Sequence, residues 1–209
     1  RHLLNIPSID FKAVELDDEK VNYLQKNYPA LKGKIIHQSF LDMEKPFSNS
    51  FAVIGNFPYN ISTQILFKLL DWRDDVPFIV GMFQKEVAER IAAKPGNKTY
   101  GVTSALIQLE EAAHARPGYL FDVPPEKFNP PPKVMSAVIQ LTRKNEILQV
   151  KSVKAYKNLV KTAFNQRRKT LRNAVKGLFN ADLLKEEIFN KRAEQLSIED
   201  FAALTFKMH

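Results

Sequence analysis

The 209-residue chain has no cysteine, a single tryptophan, seven glycines and four histidines. Without cysteine there is no disulfide and no thiolate metal site, which fits a reducing compartment and an expected cytoplasmic location. The histidines (His2, His37, His114 and His209) are scattered, with no pair at ligand spacing, so no metal site is expected. No apolar run approaches the roughly 20 residues of a membrane-spanning helix, and no signal peptide is visible. Internal repeats and low-complexity stretches are missing too. With 44% hydrophobic and 26% charged residues, the composition is that of an ordinary globular protein with ample length for a core. Nothing in it demands more than a monomer.

Charge is plentiful but uneven. Residues 1–150 carry 18 Lys and Arg against 17 Asp and Glu, whereas residues 151–209 carry 13 against 6. A basic appendage on a neutral domain suits an acidic partner, above all nucleic acid.

Arg1-His2-Leu3-Leu4 reads as the end of a helix already under way, so the chain is expected to start inside a domain. Strand candidates follow at 11–16, 34–39, 51–55 and 76–83, alternating with helical patterns that start after Asp17, at Ile61 and at Lys85. Alternation of this kind predicts a mostly parallel, doubly wound α/β sheet. Glu15 ends its strand, where nucleotide-binding βαβ folds place a carboxylate for ribose hydroxyls. Lys94 to Gly101 reads as a mobile, basic loop that either touches a phosphate backbone or is simply solvated, the second being the favoured reading. Thr103–Ala113 is helical by pattern, and strands are expected at 118–123 and 136–142. Between those strands, Phe128-Asn129-Pro130-Pro131-Pro132 holds Phe128 on a stiff extended backbone, either as a second stacking surface for a flat substrate or packed under the loop. The charge shift at 144–151 marks a domain boundary, taken at 146/147. Beyond it, 153–179 reads as one or two helices, with Lys157, Lys161, Arg168 and Arg172 within about 60° on a helical wheel, a face that is either simply solvated or, as the dense 165–170 cluster favours, in contact with RNA or DNA. Two short helices are expected near 181–189 and 198–206.

The most informative stretch is Asn56-Phe57-Pro58-Tyr59-Asn60, a rigid polar-aromatic loop between a strand and a helix. In open α/β sheets, ligands sit beyond the carboxyl ends of strands. The Asn56 side chain and the Pro58 carbonyl are two acceptors suited to a planar group bearing an NH2, and the Tyr59 ring is a stacking surface. The alternative is a strand ending in a proline turn with Tyr59 as packing.

Asn-x-Pro-Tyr is similar to the amino-methyltransferase motif, and the ordered blocks extend the likeness. They are Val14-Glu15-Leu16-Asp17, Asn56 to Thr63, Gln84-Lys85-Glu86-Val87, Phe128-x-Pro-Pro-Pro-Lys-Val with Ser136-Ala137-Val138, and Ala163 to Asn173. Together they resemble the ribosomal RNA adenine N6,N6-dimethyltransferases, over essentially the whole chain. The resemblance implies a Rossmann-like S-adenosylmethionine methyltransferase domain at 1–146 and a small, basic, all-α RNA-binding domain at 147–209. It implies Glu15 on the cofactor ribose, with Leu16, Ser39, Phe40 and Asn56 also on the cofactor. Asn56 and Pro58 hold the target amine, Tyr59 stacks on the adenine, and Phe128 stacks on its other face. Lys157, Lys161, Arg167, Arg168, Lys169 and Arg172 are the implied RNA contacts, and the small ribosomal subunit and its rRNA the implied partner. There are two departures: the family's Gly-rich cofactor loop is expected just before residue 1, and Ser39 stands where relatives commonly carry Asp. Three rivals share parts of this pattern: a large-subunit rRNA methylase of the antibiotic-resistance type, a protein-glutamine methyltransferase, and a ribosome-assembly or RNA-binding factor with secondary or lost catalysis.

Overall fold

The computed structural model describes residues 2–6, 8–111, 118–143 and 148–209. The chain divides into two compact units, 1–49 and 50–209. The boundary expected at 146/147 lies outside the described residues.

In the first unit, β1 (Ala13–Glu15) pairs in parallel with β2 (Ile35–His37), with Glu15 opposite His37. Between them runs α1 (Asp18–Asn27), whose first turn is capped by Asp17 accepting from the Lys20 N–H at 3.0 Å. That bond satisfies one of the N–H groups every helix start leaves open. Leu3–Asn5 forms a single 3-10 turn where the end of a helix was expected.

The second unit is built on a four-stranded sheet in the order β3-β4-β6-β5. Its strands are β3 (Val53–Asn56), β4 (Phe78–Gln84), β5 (Gly118–Val123) and β6 (Ser136–Thr142). β3 and β4 are parallel, but β6 runs antiparallel to both neighbours. The mostly parallel sheet expected from strand alternation is therefore mixed, because β5 returns as β6 through a connection that holds one 3-10 turn (Pro125–Lys127) and no α-helix to carry a parallel crossover. In β4 and β6 alternate residues are buried, Ile79, Gly81 and Phe83 facing Leu141, Ile139 and Ala137 across the ladder. Three helices accompany the sheet: α2 (Ser62–Asp71), α3 (Lys85–Ala92) and α4 (Val102–Glu111).

After β6 come α5 (Val153–Asn165), α6 (Leu171–Ala174) and α7 (Ile198–Thr205). Ser152 caps α5, and Ser197 with Asp200 forms a reciprocal cap on α7. The stretch expected as a helix near 181–189 consists of 3-10 turns at Leu183–Lys185 and Glu187–Asn190. Their apolar residues meet one core that also takes in Tyr100, Ala105, Leu106, Leu109, Tyr156, Leu159, Phe164 and Phe201. α4 thus joins the sheet to the basic helices, and the Tyr156 hydroxyl donates to Ala105 O at 3.1 Å within that core.

Candidate active site and nucleic-acid interface

The Asn56–Asn60 loop leaves the carboxyl end of β3, and its shape depends on two missing side chains. Gly55 and Gly81 are partners across β3 and β4. A Cβ on Gly55 would lie 2.2 Å from the Phe57 ring, and one on Gly81 would lie 2.5 Å from both the Phe57 and Phe83 rings. Phe57 is buried over this bare patch, 5.2 Å from Phe83 by ring centroids. With Phe57 anchored inward, Asn56 and Pro58 on either side are exposed and Tyr59 is half-buried.

Further bonds hold the rest of the loop. The Tyr59 hydroxyl shares a hydrogen bond with the hydroxyl of Ser136, a fully buried residue that opens β6. The Ser62 hydroxyl donates to Tyr59 O at 3.3 Å, and the Ile61 N–H donates to Pro58 O at 3.1 Å. The Pro58 carbonyl thus has one lone pair engaged and a second left for another donor.

The same end of the sheet carries other residues singled out by sequence. Gln84 pairs with Ser136, and the Lys85 N–H donates to Met135 O at 2.9 Å. Lys85 Nζ lies 2.7 Å from Asp122 Oδ2, and the Tyr119 hydroxyl donates to the other oxygen. Hydrogen bonds from Lys85 and then Tyr119 hold the Asp122 carboxyl below the usual carboxylate range, and Asp122 in turn raises the Lys85 ammonium. Burial, followed by the hydrogen bond to Asp122, raises the Tyr119 phenol. Phe128 is half-buried and extended, in the connection from Val123 to Ser136, which spans this end of the sheet.

In the first unit, Glu15 turns back on its own backbone. Its Oε1 accepts from the Leu16 N–H at 2.9 Å and the Asp17 N–H at 3.0 Å. His37 Nε2 lies 3.2 Å from Leu16 O, bracing the same corner from β2. Leu16 is 64% exposed at the strand end. A braced carboxylate beside an uncovered apolar side chain suits a nucleoside, whose ribose offers hydroxyls and whose base offers a flat apolar face. Ser39 Oγ accepts from the Leu41 N–H at 3.2 Å, and Ser39 and Phe40 are both half-buried. Among the described residues no three His, Cys, Asp or Glu side chains gather as metal ligands.

The six expected RNA-contacting cations divide into two groups. Lys157 Nζ pairs with Asp71 Oδ1 at 3.1 Å. Arg167 Nε pairs with Glu194 Oε2 at 2.9 Å, and Arg172 donates to Leu184 O and Asn190 Oδ1, both at 2.8 Å. Lys161, Arg168 and Lys169 are exposed, and no described carboxylate lies within ion-pair distance of them. The single basic stripe expected from a helical wheel is corrected. α5 ends at Asn165 and α6 starts at Leu171, so the wheel's regular 100° step does not carry across the turn between them.

Three contributors escaped sequence reasoning: Gly55, Gly81 and Asp122. A glycine inside a strand pattern is a known sign of close approach, and Gly55 and Gly81, each inside a strand candidate, carried that signal. Asp122 carried none, because nothing local marks a carboxylate for a lysine 37 positions away. Ser136 stood within a recognised block, but its bond to Tyr59 bridges 77 positions.

A family model described as Ribosomal RNA adenine dimethylase matches residues 7–207. Ribosomal RNA small subunit methyltransferase A of Cytophaga hutchinsonii is 51% identical over 208 residues, covering 98% of this chain and 79% of that protein. The protein of the same name from Phocaeicola vulgatus is 53% identical over 200 residues, covering 93% and 70%. Among solved structures, a dimethyladenosine transferase from Plasmodium falciparum shares the fold with a TM-score of 0.75 at 24% identity, covering 90% of this chain and 78% of that one. The 23S rRNA methyltransferase ErmE does so with a TM-score of 0.67 at 18% identity, covering 94% and 81%.

Proposed function

From the premise that the chain belongs to the ribosomal RNA adenine dimethylase family, we propose that it methylates N6 of adenine near the 3′ end of small-subunit rRNA, giving N6,N6-dimethyladenosine. It is an S-adenosylmethionine-dependent methyltransferase of that family. The observation that carries the small-subunit assignment is about 50% identity, over nearly the whole chain, to relatives named for the small subunit. The likeness to a 23S methyltransferase is one of fold alone. The protein acts as a cytoplasmic monomer during ribosome biogenesis, with residues 1–146 as catalytic domain and 147–209 as RNA-binding domain.

S-adenosylmethionine, when bound, supplies a methyl group activated on a sulfonium. Within the first unit, Glu15 would hold its ribose, Leu16 would offer an apolar face to its adenine, and Ser39 and Phe40 would complete that unit's contacts. Asn56 Oδ1 and the free lone pair of Pro58 O accept the two hydrogens of the target amine. The amine lone pair is delocalised into the adenine ring, so N6 is a poor nucleophile. Two fixed acceptors favour a more tetrahedral nitrogen and stabilise the positive charge that develops on it. Much of the remaining task is alignment. Tyr59 stacks on the target base and Phe128 on its other face. Unstacking that base from RNA costs a few kcal/mol, which stacking offsets by roughly 1–3 kcal/mol per aromatic contact.

The test is incubation with methyl-labelled S-adenosylmethionine and undermethylated small ribosomal subunits, followed by mass spectrometry of the rRNA 3′ fragment. Dimethyladenosine is expected there. No label despite tight subunit binding would turn the reading to an assembly factor. Asn56→Ala should cut turnover by about 10²-fold, the usual scale for losing one such electrostatic contact, while RNA affinity holds. Equal loss of both would make Asn56 structural.

A further inference from the structure

Three segments far apart in the chain meet at Arg167. Its Nε holds Glu194 at 2.9 Å, and one terminal nitrogen donates to Tyr100 O at 3.2 Å and to Lys98 O. Backbone bonds close the junction. The Gly96 N–H donates to Glu194 O at 2.7 Å, and the Leu171 N–H donates to Lys191 O at 2.7 Å. Within the 94–99 loop, Asn97 Oδ1 takes both the N–H and the hydroxyl of Thr99 at 3.0 Å, and Gly96 turns the chain at φ +83°. The loop that composition marked as mobile is therefore internally braced and fastened at both Gly96 and Lys98.

The charge of this junction is one-sided. Residues 94–101, 165–170 and 190–195 carry seven Lys and Arg and one carboxylate, Glu194, which Arg167 already engages. Lys94, Lys98, Arg168, Lys169, Lys191 and Arg192 are all exposed, and no described carboxylate lies within ion-pair distance of any of them. Across the whole chain the ratio is 31 to 23, so cations here have been gathered and their counter-charges left out. Like charges crowded on one face repel, and a polyanion laid across them removes that repulsion while releasing its own counterions.

We propose that these segments form one composite seat for an RNA phosphate backbone, with Lys94 and Lys98 as members and Arg167 as the clasp that assembles it. The proposal rests on the RNA substrate argued above and adds to it a loop from the sheet-bearing part of the chain. Arg167 cannot serve as a free phosphate contact while its fork holds Glu194, Lys98 and Tyr100. Its planar donors suit that task, and a lysine in its place would keep the charge but not the fork.

The experiment measures binding of the protein to the undermethylated small-subunit rRNA 3′ fragment across a salt series. Lys94→Ala with Lys98→Ala should weaken binding and reduce the slope of log K against log salt by about 1.4–1.8, roughly 0.7–0.9 per lost phosphate contact. Both side chains are exposed, so the melting temperature should not move. Arg167→Lys, with charge unchanged, should weaken binding as the loop variant does. Native binding that is absent or insensitive to salt would overturn the RNA substrate itself. Salt-dependent native binding with an unaltered slope in the double variant would overturn only the composite seat. So would anionic-vesicle binding lost in that variant while RNA binding stays intact. Arg167→Lys that binds like the native protein would remove the clasp.

Discussion

At the scale of single residues, the candidate site is defined as much by what holds Asn56 and Tyr59 as by those residues themselves. The bond between the Tyr59 and Ser136 hydroxyls predicts strong coupling. Tyr59→Phe and Ser136→Ala should each lower kcat/KM for methyl transfer, and the double variant should lose no more than the worse single one. Additive losses in that cycle would show that the two hydroxyls act independently. The glycine pair under Phe57 makes a second demand. Gly81→Ala would press a methyl group against two aromatic rings, and overpacking of this kind costs about 1–3 kcal/mol. Thermal unfolding should show that loss together with reduced methyl transfer, since the displaced ring is the loop's anchor. A native melting temperature with native activity would mean that Phe57 has somewhere else to go.

At the scale of elements, Lys85 and Asp122 tie the first residue of α3 to β5 at the end of the sheet where the Asn56 loop emerges. Asp122 has its carboxyl lowered by Lys85 first and Tyr119 second. A lowered folded value means that the contribution to stability is complete above the ordinary carboxylate value near 3.9. It is lost as pH falls through the folded value. Both groups are solvent-facing, so the effect is small in energy and best read spectroscopically. Carboxylate NMR should place the Asp122 titration below the usual range, and Lys85→Met should return it towards that range. An unchanged midpoint would mean that the pair does not persist in solution.

At the scale of the whole molecule, the basic helices share one core with α4, which also packs over the sheet-bearing part of the second unit. Leu159 is fully buried in that core. Leu159→Ala should cost about 2–5 kcal/mol. Calorimetry should show the whole transition of residues 50–209 moving down together. If only part of the heat moved, the helices would be unfolding as a separate domain, with the boundary near 146/147 as a true hinge in stability.

The order of elements was legible in the sequence because it rests on local signals. Asp17 stands where a strand pattern gives way to a helical one, apolar runs mark β4 and β6, and prolines fix the stretch after Phe128. The Asn56–Asn60 loop was legible for the same reason, since the strand before it and the helix after it are contiguous with it in sequence. Only the folded chain decided that β6 lies between β4 and β5, that Phe57 needs Gly55 and Gly81 bare, and that Tyr59 leans on Ser136. It also decided which cations stay free. Arg167, Arg168 and Lys169 are neighbours of one chemical type, and no local rule separates them. Arg167 turns inward because Glu194, Lys98 and Tyr100 converge on it from distant parts of the chain. Local preference acts over a few residues, whereas pairing across tens of residues exists only once the core has brought those segments together.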